Sequence, residues 1–141
     1  MSTEQNKSIV RRWVEGGWNK GNLALVDELY APDYKLNDPQ SPLPVTSAAA
    51  FKQYVTSYRT AFPDLHFTID EIIAEGDKVA WHFTSRGTHN GPLGNIPPTG
   101  KVGTVTGTLI SRFSGGKWAE DWINLDVLGM LQQIGVIPKM G

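Results

Sequence analysis

The stretch AFPDLHFTID, residues 61–70, contains the point at which the hydrophobic period of the chain changes. Before Pro63, apolar side chains recur every three or four residues, which is typical of an amphipathic helix. After it, Leu65, Phe67 and Ile69 alternate with polar residues, which predicts a strand with one buried face. Because a proline disfavours helical geometry in the residue before it, the helix is expected to end here.

Three helices are predicted upstream of this point. Their apolar faces are formed by Ile9, Val10, Trp13, Val14 and Gly17, by Leu23, Val26, Leu29 and Tyr30, and by Phe51, Tyr54, Val55, Tyr58 and Phe62. Thr46 or Ser47 is a suitable cap for the third helix, since a side-chain hydroxyl can accept from a free backbone N–H group.

Four long antiparallel strands are predicted downstream, the first beginning at Leu65 and the last ending near Asn124. Asp126 is expected to cap a short C-terminal helix that Gly135 ends. The Gly- and Pro-rich residues 87–100 form a long loop, and loops of that length are often functional. The order of elements predicts an α+β fold, with one strongly bent sheet wrapped over helices. Residues 1–141 are interpreted as a single domain.

Composition restricts the function. The chain has 13 Lys and Arg against 14 Asp and Glu, so it lacks the basic surface typical of nucleic-acid or membrane binding. With no cysteine it has no disulfide, thiolate nucleophile or Cys-bound metal. No segment is apolar enough to span a membrane, and the N-terminus is too polar for a signal peptide. A cytoplasmic protein is expected.

Asp121 and His89 are the candidate catalytic residues. A carboxyl group in an apolar interior has its pKa raised toward neutrality, where it works as a general acid or base. The alternative for Asp121 is a partly exposed acid paired with Lys or Arg. His89 lies in the loop, where its imidazole either covers a cavity mouth or faces solvent. The three His have no metal-binding spacing, so no metal or other cofactor is expected.

Several aromatic residues can line a cavity or pack in the core. They are Trp13, Tyr54, Tyr58 and Trp81, and Leu109 belongs to the same apolar side of the sheet. Tyr34, just before the Pro-rich segment, is a candidate hydrogen-bond donor at the rim of the pocket. In the last strand one parity holds Trp118, Glu120 and Trp122, and the other holds Ala119, Asp121 and Ile123. Parity alone leaves open which set faces inward, and a β-bulge would shift it.

The chain resembles the SnoaL-like polyketide cyclase (ester cyclase) family of the nuclear-transport-factor-2-like superfamily. The resemblance is carried by WNKGN at 18–22, LYAPDY at 29–34, AFPD at 61–64, GTHNG at 87–91, IPPTG at 96–100, WINLD at 122–126 and LQQIG at 131–135. It implies a cone with a deep apolar pocket, commonly in a homodimer, and cofactor-free aldol cyclisation by an aspartate on the last strand. Ile123 occupies the position of that aspartate.

The resemblance also places Ile123 on the pocket side, which makes Asp121 the nearest inner-face acid. Trp118 and Trp122 are then expected on the outer face, as a homodimer contact. His89 and Arg86 match loop positions of the family and are expected to orient an enolate oxygen. The predicted function is a cofactor-free cyclase or isomerase acting on a small hydrophobic polyketide-like or ketoester substrate. The alternatives are a binding protein for a small hydrophobic ligand and an oligomerising domain.

Overall fold

A computed structural model describes residues 2–41 and 43–138; Met1, Pro42 and residues 139–141 lie outside the described residues. The helices are α1 (Thr3–Trp13), α2 (Ala24–Leu29), α3 (Ala48–Ala61) and α4 (Val127–Gln133), with a π-helical turn at Val14–Trp18. The strands are β1 (Tyr30–Asn37), β2 (His66–Glu75), β3 (Lys78–Thr88), β4 (Val102–Ser114) and β5 (Lys117–Leu125). None of the helices in the described part of the chain is long and apolar enough to cross a membrane.

The strands form one five-stranded curved sheet in the order β1-β5-β4-β3-β2. Neighbouring strands are antiparallel, except that β1 runs parallel to β5. Burial alternates along β3 and β4, so one face of the sheet packs against α1 and α3 and the other carries polar side chains. The predicted α+β fold is confirmed, and Ser47 caps α3 by accepting from the backbone N–H of Ala50.

The sequence prediction missed β1. Residues 30–37 contain Pro32, which is unusual within a strand because it lacks a backbone donor. Here the proline lies at the edge of the sheet, where the register shifts between Tyr30 and Lys35. Strand β1 pairs with β5 across more than eighty residues of sequence, so no local pattern identifies its partner. The sheet therefore has one more strand than predicted.

A β-bulge in β5 changes the orientation predicted for Trp118. Phe113 pairs with Trp118 and Arg112 pairs with Glu120, so Ala119 is the extra residue. Trp118 is therefore fully buried on the inner face, and its expected place on the outer face was wrong. Beyond the bulge, Asp121 faces inward and Trp122 faces outward with 39% of its surface exposed.

Gly107 gives the ring of Phe83 room to pack against β4. A Cβ atom at Gly107 would lie 2.6 Å from Cζ of Phe83, whereas one at Gly103 would meet nothing closer than Cγ2 of Ile134 at 3.7 Å. We expect Gly107→Ala to lower the free energy of unfolding by about 1–3 kcal/mol through overpacking. Gly103→Ala, the matched control on the same strand, is expected to change it by less than about 1 kcal/mol. Urea unfolding measures both, and equal effects would contradict this account.

Candidate functional site

A narrow cavity lies between the helices and the inner face of the sheet. Its volume is about 60 Å³. Aromatic side chains form most of its wall, and Asp121 is the acidic residue among the lining residues. The aromatic members are Trp13, Trp18, Tyr30, Tyr34, Phe51, Tyr54, Tyr58, Phe62, Phe67, Trp81, Phe83 and Trp118. Such a wall suits a flat, apolar ligand.

Three neighbouring strands hold the carboxyl group of Asp121 in this cavity. Leu36 on β1 and Ser111 on β4 are its register partners, which places Tyr34 and Ser111 on the same face as Asp121. The Tyr34 hydroxyl donates to Oδ2 of Asp121 at 2.6 Å, and the Ser111 hydroxyl donates to Oδ1. Nε1 of Trp81 in turn donates to the Ser111 oxygen at 3.0 Å. Every one of these groups is buried.

Burial raises the pKa of Asp121 from 3.8 to about 6, because the charged carboxylate loses its hydration. The hydroxyl groups of Ser111 and Tyr34 oppose this by stabilising the carboxylate. The nearby indole N–H of Trp118 also lowers the pKa, although its geometry falls short of a hydrogen bond. At neutral pH the side chain is therefore mostly ionised but gains a proton at little cost.

The tyrosines of the cavity remain protonated. Burial raises the pKa of Tyr30 and Tyr34 well above 10, and the charge of Asp121 raises both further. Tyr54 donates to Oδ2 of Asp38 at 2.9 Å, and burial likewise raises its pKa. The phenol groups therefore act as hydrogen-bond donors at neutral pH.

The predicted binding residues lie together in the structure, with one exception. Trp13, Tyr34, Tyr54, Tyr58, Trp81, Leu109 and Ile123 all line the cavity. Their contact with a substrate stays a prediction. Arg86 is exposed on β3 among the residues that face away from the helices, so its expected place in the cavity was wrong. The alternation of the strand directs Arg86 outward because its neighbours Ser85 and Gly87 face inward.

His89 is fully buried but does not line the cavity. Its Nδ1 accepts from the backbone N–H of Thr99 at 3.2 Å, and the Thr99 hydroxyl lies 3.0 Å away. Its ring packs against Phe62, whose own side chain belongs to the cavity wall. His89 therefore fastens the loop after β3 to the domain. Both predicted positions, over the cavity mouth and facing solvent, were wrong.

Sequence reasoning missed Ser111, Tyr30 and Trp118 as parts of the site. Ser111 shares the parity of Leu109 and Phe113, so the alternation of β4 contained its signal. The position of Tyr30 in the cavity wall depends on the unpredicted strand β1, and the inward orientation of Trp118 depends on the bulge. Neither of those two features has a local sequence signature.

The comparisons with known proteins identify the family. The model of SnoaL-like polyketide cyclases matches residues 8–134. The chain therefore belongs to the SnoaL-like polyketide cyclase family. A search of curated proteins found no significant match.

Solved structures agree with this assignment. The chain is 31% identical to a candidate polyketide cyclase from Acidithiobacillus ferrooxidans, with a TM-score of 0.84 over 95% of this chain and 97% of that one. AclR from Streptomyces galilaeus, named as a candidate hydroxylase, is 27% identical, with a TM-score of 0.86 over 99% and 87%. A protein from Catenulispora acidiphila with a ketosteroid-isomerase-like fold is 19% identical, with a TM-score of 0.77 over 92% and 93%. The fold is nuclear-transport-factor-2-like.

The raised pKa of Asp121 predicts a pH dependence of stability. Because the folded protein holds this proton more tightly than the unfolded chain does, the side chain favours folding at acidic pH, and that contribution is lost as the pH rises from about 4 to about 6. Relative to Asp121→Asn, the free energy of unfolding of the parent protein is expected to fall by about 2 kcal/mol between pH 4 and pH 6. Urea unfolding at a series of pH values measures the difference. A difference that stays constant across the range would contradict the shifted pKa.

Proposed function

We propose that this protein catalyses cofactor-free proton transfer on a small hydrophobic carbonyl compound, of polyketide or ketoester type, leading to intramolecular aldol cyclisation or isomerisation. The observation that carries the proposal is the Asp121 carboxyl group, buried on an aromatic cavity wall with a pKa near 6. A group with this pKa both accepts and returns a proton at neutral pH. Membership in the polyketide cyclase family supports the same reaction class.

The proposed reaction begins with ionised Asp121. Its carboxylate removes a proton from the carbon next to a substrate carbonyl group, and the negative charge passes to the substrate oxygen as an enolate. In a cyclisation the enolate carbon attacks a second carbonyl group of the same molecule. The resulting alkoxide takes the proton back from Asp121. No atom or electron is gained or lost, so the cycle regenerates the enzyme.

The aromatic surface of the cavity supports the substrate class. Aromatic rings surround the space, among them Trp18 stacked on Phe67 at 4.7 Å and Phe67 stacked on Phe83 at 4.4 Å. Flat conjugated molecules pack well against such rings, and charged ones would lose their hydration without compensation. A neutral, planar carbonyl compound is therefore the best match.

A second candidate function is binding of a small hydrophobic ligand without turnover. Ile123, an inner-face residue that accepts no proton, stands where the sequence resemblance places the family's catalytic aspartate. In addition, both carboxylate oxygens of Asp121 already accept a hydrogen bond. This candidate predicts that aromatic ketones bind to the cavity but exchange no protons there.

Hydrogen exchange into aromatic ketones such as 2-tetralone tests the proposed function without knowledge of the natural substrate. In deuterated buffer the parent protein is expected to accelerate deuterium incorporation next to the carbonyl group, with a rate that rises through about pH 6 as Asp121 ionises. The exchange rate of Asp121→Asn is expected to be lower than that of the parent protein by a factor of at least about 100, since general-base catalysis contributes at least that factor. NMR spectroscopy follows the exchange.

Asp70→Asn is the matched control, because Asp70 is an exposed carboxylate on β2 that accepts from Thr84 outside the cavity. Its exchange rate is expected to equal that of the parent protein. Full activity in Asp121→Asn would rule out the role of Asp121. Ketone binding without exchange in the parent protein would favour the ligand-binding alternative.

We also propose that the outer face of the sheet forms a homodimer contact. Ile110 and Trp122 lie directly opposite each other on β4 and β5, with 45% and 39% of their surfaces exposed. Paired apolar side chains on an otherwise polar face are typical of interfaces.

Light scattering tests this contact. Trp122→Glu is expected to convert a dimer into a monomer, because it buries an unpaired charge in the interface. Ile73→Glu, on the far edge strand β2, is the control and is expected to leave the dimer intact. A parent protein that is already monomeric would contradict the proposal.

A further inference from the structure

Two hydrogen-bond donors in the cavity wall have no partner in the described part of the chain. They are the Tyr30 hydroxyl and the indole N–H of Trp118. Both residues line the cavity, and at most 2% of either is exposed to solvent. Leaving a buried donor without a partner destabilises the fold, so such groups usually mark a place where another polar group binds.

The two donors belong to one cluster around Asp121. The Tyr30 and Trp118 rings stack face to face, with their centroids 4.7 Å apart and an angle of 9° between their planes. Tyr30 also packs edge-to-face on Tyr34, which donates to Asp121. Trp118 precedes Asp121 on β5, and the bulge turns both side chains to the inner face. The electrostatic influence of Asp121 on Tyr30 fits this proximity.

The proposed reaction requires a group of this kind. Proton removal by Asp121 transfers a negative charge to the substrate oxygen, and in an apolar cavity that charge needs donors. Arg86 and His89 do not supply them, because Arg86 is exposed outside the cavity and His89 does not line it. The Tyr34 and Ser111 hydroxyl groups already donate hydrogen bonds to Asp121, so they are not free to bind the substrate oxygen.

We propose that the Tyr30 hydroxyl and the Trp118 indole N–H together bind the oxygen of a ligand carbonyl group and stabilise it as an enolate. The reaction step rests on the proposed function, whereas the binding of an oxygen anion by the two donors is testable without turnover. When Asp121 takes the proton, it becomes neutral as the ligand oxygen becomes negative. The cavity therefore holds one negative charge before and after the step. The Trp118 N–H lies near this charge on Asp121 without a hydrogen bond to it, and both donors bind the charge once it is on the ligand oxygen.

A phenolate probe in the Asp121→Asn protein imitates the state after proton transfer. The side-chain amide of this variant is uncharged, like the protonated acid, so it does not repel an anion. The probe is 4-nitrophenol, whose ionised form has its own visible absorbance, and nitrobenzene is the control ligand because it lacks the phenolic oxygen. We expect the Asp121→Asn protein to bind 4-nitrophenol as the phenolate, so that the pKa of 4-nitrophenol is lower when it is bound than when it is free in solution.

Removing either donor is then expected to weaken binding of the phenolate anion more than binding of the neutral control ligand. In the Asp121→Asn background, Tyr30→Phe and Trp118→Phe are each expected to reduce phenolate affinity by about tenfold or more, as for a lost hydrogen bond to a charged group. Nitrobenzene affinity is expected to stay within about twofold, because the rings and their packing remain. Trp122→Phe, on the same strand but the outer face, is the matched control for Trp118→Phe and is expected to change neither affinity.

A measurement on the parent protein needs no variant that might affect folding. Of the five indole N–H signals in the NMR spectrum, that of Trp118 is expected to move downfield when the neutral ketone acetophenone is added. The signal of Trp122 is expected to stay unchanged.

The proposal is overturned if phenolate affinity survives in Tyr30→Phe or in Trp118→Phe, if both probes weaken equally, or if the Trp118 signal does not move. These outcomes differ from failure of the proposed function. If the parent protein exchanges no protons but the two donors still favour phenolate over nitrobenzene, the two-donor site is supported in a protein that binds its ligand without turnover. If Asp121→Asn retains proton exchange, the role of Asp121 as the base is refuted, whereas the oxygen-binding role of Tyr30 and Trp118 is not.

Discussion

The β-bulge at Ala119 is the constraint that places Trp118 and Asp121 together in the cavity wall. In a regular strand, Trp118 and Asp121 would point to opposite faces, because their separation of three residues is odd. The extra residue turns both side chains inward, while the pairing of β5 with β4 is kept on either side. One irregularity therefore brings a carboxyl group and an indole donor into the same apolar space, and it leaves Trp122 on the outside.

The carboxyl group in turn accounts for the polar groups around it. An ionised carboxylate in an apolar cavity is unstable without donors, and Tyr34 and Ser111 supply one to each oxygen. Those two hydrogen bonds are not enough to restore the ordinary pKa, so the group remains close to its titration point at neutral pH. A fully solvated aspartate would be too weak a base, and one without any donor would stay protonated. The observed balance is the chemical basis of the proposed reaction.

The periodicity of the sequence predicted much of this architecture. The change of hydrophobic period at Pro63 separated helices from strands, and the alternation along β3 and β4 identified the inner face correctly. Strand β1 was not predictable in this way, because its pairing with β5 joins distant parts of the chain and includes Pro32. The orientation of Trp118 depended on a bulge, which changes the parity of a strand without changing its composition.

The site was predictable to the extent that it depends on strand parity. Asp121 was placed inward by that reasoning together with the family resemblance, and the aromatic lining was expected from the apolar faces of the helices. His89 and Arg86 were expected in the cavity because their loop resembles the family, but a buried contact with Thr99 and an outward strand position hold them elsewhere.

The most direct test of the account is an NMR titration of the Asp121 side-chain carboxyl carbon in the intact protein. Burial in the aromatic cavity predicts a midpoint near pH 6. A midpoint at or below the ordinary value of 3.8 would show a solvated or strongly ion-paired carboxylate, and it would contradict the proposed proton transfer.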